Sequence, residues 1–151
     1  MQDQLERDLK AALLAGDKQK AEVLKGVKNA ILYEAVAKKL PRDQIGDELI
    51  LAVLARESKK RQEAADIYKQ GGSDERAEAE LAEKAILDSY LPEQASEEDI
   101  KQAVGEEVAK LSSPSSSDMG TVIGAVRAKF GATADGATIA RLTKQALEKS
   151  T

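Results

Sequence analysis

Helix-stopping residues cut this chain at short intervals, and no stretch between the cuts alternates with the two-residue period of a strand. The stops are Gly16-Asp17, Pro41, Gly71-Gly72-Ser73-Asp74, Pro92, the serine-rich 112–117 and the pair Gly131 and Gly136. Glycine suits the left-handed residue just past a helix end, proline cannot continue a helix, and Asp or Ser can cap the next one. The spacing predicts helices over 2–15, from Asp17 to about 39, and from Asp43 or Asp47 to Gln70. It predicts others from Ser73 or Asp74 to the "YLP" before 92, from Ser96 to about 111, near 117–130, and over 135–149. Ser96 followed by Asp99 has the form of a capping box. The fold class is therefore all-α, with an N-terminal helical domain over 1–91 and a C-terminal three-helix bundle over 92–151.

The apolar positions support that reading. Val23, Leu24, Val27 and Ile31 share one helical face. Leu49, Ile50, Val53, Leu54 and Ile67 mark the third helix, and Leu81, Ala85, Ile86 and Leu87 the fourth. A chain of 151 residues can bury about 68–70% of the surface that its unfolded form exposes, so it needs no covalent staples. It has no cysteine and no histidine. Disulfides, thiolate or imidazole metal ligands, cysteine nucleophiles and the commonest general base are thereby excluded. The first residues are charged and amphipathic, and no run reaches the ~20 apolar residues of a membrane span. Both features predict a cytoplasmic protein that does not engage membranes.

Acid chemistry finds little support. "EEDI", "GEEV" and "ERAEAELAEKAIL" are rich in carboxylates, but Glu80 and Lys84 show the four-residue spacing of a solvated helix face. Serines 112–117 have no histidine to activate them. No phosphate-binding glycine loop is present, and the aromatics Tyr33, Tyr68, Tyr90 and Phe130 are too scattered to form a stacking platform. Tyr90 and Phe130 read as core or helix-end packing residues. No catalytic residue, cofactor or metal site is assigned.

Charge is unevenly spread over a net of −4. Residues 17–41 hold six Lys against three acids, residues 73–107 three basic residues against twelve acids, and residues 117–151 five against three. Lys18, Lys25 and Lys28 fall on one side of the second helix and form a basic stripe.

The stretch "DMGTVIGAVRAKFGATADG", 118–136, is the most informative. Gly120 and Gly124 interrupt a helix, where each costs roughly 1 kcal/mol against alanine. On a helical wheel Met119, Val122, Ile123, Val126 and Phe130 form a core face. The two glycines and Ala128 form a separate small-residue stripe beside Arg127. Such a stripe admits a close backbone, whether of a packed helix or of a sugar-phosphate chain. Asp135 can cap the last helix, whose start would suit an anion, and Arg141 and Lys144 follow along it.

"AGDKQKAEVLKGVKNAI", "ARESKKRQEAADIYKQGG", "ILDSYLPEQASEEDI", "DMGTVIGAV" and "GATADGATIARLTKQAL" succeed one another along nearly the whole chain. In this order they resemble the GatB/YqeY family, and specifically its stand-alone YqeY-like members. The resemblance implies an N-terminal helical domain followed by a three-helix domain. A related segment forms the tail of the B subunit of glutamine-dependent aspartyl/glutamyl-tRNA amidotransferase, which contacts tRNA. Similar domains are appended to some glutaminyl-tRNA synthetases.

The resemblance thus implies a noncatalytic, tRNA-associated module, with tRNA or a tRNA-charging or amidotransferase enzyme as partner. By carry-over, Gly120, Gly124, Arg127, Gly131, Asp135 and Gly136 become the contact surface. The chain departs from the family pattern at Ser73 and Thr121, where basic residues are common, and at Lys25, where arginine is usual. A protein-interaction module without RNA binding and an accessory role in glutamine-dependent amide transfer are the alternatives. The amidotransferase chemistry itself does not carry over, because its activating and ammonia-generating domains have no counterpart here.

Overall fold

A computed structural model describes residues 1–150, apart from the side chain of Ala132. Seven α-helices run in order: α1 Gln2–Ala15, α2 Lys18–Ala37, α3 Asp47–Gln70, α4 Asp74–Asp88, α5 Glu97–Ala109, α6 Met119–Phe130 and α7 Gly136–Ser150. Single 3-10 turns lie at Arg42–Gln44, Ser116–Asp118 and Gly131–Thr133. No strand occurs among the described residues, so the fold is all-α. The helices gather into two compact units, Met1–Pro92 and a second beginning at Glu93, each with its own apolar core.

In the first unit the ends of α1, α2 and α3 share one geometry. Past α1, Gly16 turns left-handed (φ 72°) and the Asp17 amide donates back to the Ala12 carbonyl at 2.9 Å. Past α3, Gly72 does the same (φ 78°), with the Ser73 amide on Tyr68 at 2.8 Å. These six-to-one bonds satisfy carbonyls that the helix leaves open. Past α2 the same turn falls on Lys39 (φ 57°), with the Leu40 amide on Ala35 at 2.8 Å. That turn ends α2 at Ala37, two residues before the sequence-predicted stop. A Cβ in this region costs about 1–2 kcal/mol. Lys39→Gly is therefore expected to stabilise the first unit by about 1 kcal/mol, seen as a higher urea midpoint with an unchanged slope.

The core of this unit joins Leu5 of α1, the predicted Val23, Leu24, Val27 and Ile31 face of α2, Ile50, Val53 and Leu54 of α3, and Leu87 of α4. Leu49 and Ile86 pack at its edge. Three expected apolar positions lie outside it, among them the half-buried Leu81. Ile67 is 67% exposed because, two residues on from the buried Ala65, it lies on the opposite face of α3. Ala85 points to solvent. Away from the core, α3 and α4 bury Ala65 and Ala77 instead of large side chains, and Arg61 pairs with Glu83 at 3.1 Å. Tyr90 packs on the core edge, and its hydroxyl donates to Asp8 Oδ2 at 2.5 Å. Burial first, and then the neighbouring carboxylate, push its phenol well above the usual tyrosine range.

The second unit is the three-helix arrangement α5–α6–α7. Ser96 and Asp99 form the expected capping box at the start of α5, with the Asp99 amide on Ser96 Oγ at 3.1 Å. The serine-rich connector ends in an ordered turn, in which Asp118 Oδ2 accepts the Ser115 amide at 2.9 Å. Its core is built from Ile100, Val104 and Val108, Val122 and Val126, and Ile139, Leu142 and Leu147. Thr143 of α7 is fully buried, and its hydroxyl has no hydrogen-bond partner among the described residues. An unpaired buried hydroxyl costs about 1–3 kcal/mol. Thr143→Val keeps the branched shape and should raise the thermal stability of this unit by about 1 kcal/mol.

Candidate nucleic-acid interface

The α6 helix is divided as its wheel predicts. Val122 and Val126 are buried, with Met119, Ile123 and Phe130 packed beside them. Gly120, Gly124, Arg127 and Ala128 face solvent. A Cβ placed on Gly120 or Gly124 would meet nothing within 4 Å. The close-packing alternative therefore fails within the second unit, since no described helix of that unit covers either glycine. What they expose is bare helix backbone, an arrangement that weakens α6 without improving its packing.

The remaining glycines of this region have structural work of their own. Gly131 adopts φ 58°, ψ −133°, a conformation open essentially to glycine alone, and it turns the chain out of α6. Gly136 begins α7 where a Cβ would stand 2.6 Å from Arg127 Nη2. Its missing side chain is what lets the guanidinium lie against the first turn of α7. Asp135 caps that helix, accepting the Thr138 amide and the Thr138 hydroxyl, each at 3.2 Å. Arg127 is thus held at the junction of the open glycine face and the α7 start. It has no ion-pair partner among the described residues.

The other predicted cations differ in their freedom. Lys144 is exposed and makes no ion pair among the described residues. Arg141 pairs with Glu97 of α5, and Lys129, a cation that the sequence did not single out, pairs with Glu106 at 3.7 Å. Both pairs are solvent-exposed, so each contributes little to stability and can open for a ligand. In the first unit Lys18 and Lys25 are exposed and unpaired among the described residues. Lys28 instead bonds Glu6 at 3.2 Å. The sequence carried no signal for Glu97 or Glu106 as partners, because both contacts cross between helices.

Such a site is suited to holding an extended anion. Two alanine-sized gaps admit a close backbone, and a guanidinium beside them can make paired hydrogen bonds to phosphate oxygens. Among the described residues, no group of three or more acidic side chains is placed to hold a metal. No helix of the described residues is long and apolar enough to cross a membrane.

Fold and surface together define an all-helical protein of two compact units that presents bare helix backbone beside an arginine with no ion-pair partner among the described residues. The chain belongs to the YqeY-like family, whose model, described as Yqey-like protein, matches residues 2–147. No curated protein matches the sequence significantly.

Proposed function

We propose that the second unit engages tRNA, as a noncatalytic module, through the outer face of α6 and the start of α7. The observation that carries this reading is the open glycine face of Gly120 and Gly124 lying next to Arg127, which has no ion-pair partner among the described residues. A phosphate backbone can approach the bare helix there, with Arg127 on its oxygens, and Lys144, exposed eight residues past the start of α7, supplies a second charge. The relation of this family to the amidotransferase tail supports tRNA as the nucleic acid. It also supports a place beside the enzymes that charge or amidate it. Thr121, where relatives offer lysine, leaves Arg127 as the principal anchor of the face.

The test is binding of tRNA measured against salt. Arg127→Ala and Lys144→Ala should each weaken binding to all tRNA sequences alike and reduce the slope of log affinity against log salt by about one unit. Unchanged affinity and slope in both variants would remove this surface from the reading.

A further inference from the structure

A recess lies in the first unit, between α1, α2 and the 42–44 turn. Its volume is about 90 Å³, and it is lined by Gln2, Leu5, Glu6, Lys28, Ile31, Leu32 and Arg42. The floor is aliphatic, made by the buried Leu5 and Ile31 with Leu32 beside them. The rim is polar and carries excess positive charge. Lys28 is neutralised by Glu6 at 3.2 Å, whereas Arg42 has no carboxylate partner among the described residues. Gln2 donates its side-chain amide to the carbonyls of Arg42 and Ile45, at 3.4 and 3.1 Å, and so fastens the turn to α1. The backbone that carries the guanidinium is therefore held at the mouth of an apolar hollow.

We propose that this recess binds a small carboxylate bearing a short aliphatic chain, of the isovalerate type. The size argument is direct: a cavity of roughly 150 Å³ accepts benzene, so one of 90 Å³ accepts an aliphatic tail of three or four carbons. Leu5, Ile31 and Leu32 take the tail, and Arg42 takes the carboxylate with paired N–H donors. An uncharged amide of the same shape fills the floor equally but forfeits the charged hydrogen bonds.

Amide-resolved NMR titration of the full chain with isovalerate and, in parallel, isovaleramide tests this. Saturable shifts at Leu5, Ile31, Leu32 and Arg42 are expected with millimolar isovalerate, with the amide binding about tenfold or more weakly. Arg42→Gln, at an exposed position, should abolish the difference between acid and amide while leaving the spectrum folded. The proposal is overturned by an absence of saturable shifts, by shifts confined to other residues, by equal affinity for both ligands, or by a preference that survives in Arg42→Gln.

Discussion

Truncating Leu54 to alanine is expected to lower the stability of the first unit by about 2–5 kcal/mol, the usual cost of emptying a leucine site in a close-packed core. Leu54 is 0% exposed and sits among Leu24, Val27, Ile50 and Leu87. A loss of this size is a large share of the 5–15 kcal/mol that commonly holds a domain folded. Urea denaturation should show a lower midpoint at constant slope. Leu14→Ala is the matched control. Leu14 is 90% exposed at the end of α1, so its truncation should change stability by less than ~0.5 kcal/mol. Comparable losses in the two variants would contradict the helix arrangement of this unit.

The double variant Gly120→Ala/Gly124→Ala is expected to act in opposite directions on folding and on binding. Both residues lie inside α6, and added Cβ atoms meet open space. Gly124 carries the full interior penalty of glycine and Gly120, in the first turn, a smaller one, so together the replacements should stabilise the second unit by about 1–2 kcal/mol. The same two methyl groups would stand between the helix and any close backbone, and tRNA affinity should fall about tenfold or more. Thermal unfolding and fluorescence anisotropy on one preparation read both effects. Higher stability with unchanged affinity would show that the glycine face is not the contact. Lower stability would show that the face is covered in the folded protein.

Much of the architecture was legible because helix stops act locally. Gly16, Gly72, Asp17 and the Ser96–Asp99 box work through residues a few positions away, so their chemistry can be read along the chain. Lys39 escaped that reading, since a left-handed lysine is tolerated only where the surrounding fold holds the Leu40–Ala35 bond. The two faces of α6 followed from periodicity alone.

What covers a face is not a local property. The sequence by itself determined the all-helical class, the two faces of α6 and the identity of the cations near it. It left open whether Gly120 and Gly124 admit a neighbouring helix or a ligand, because either partner leaves the same pattern of small residues. Among the described residues, the tertiary structure placed no neighbour within 4 Å of either glycine's missing Cβ and laid Arg127 against Gly136. It also joined Arg141 of α7 to Glu97 of α5 and Lys28 of α2 to Glu6 of α1, pairs that cross from one helix to another. Such contacts depend on how helices are set against one another, and that is decided by the packing of side chains distant in sequence.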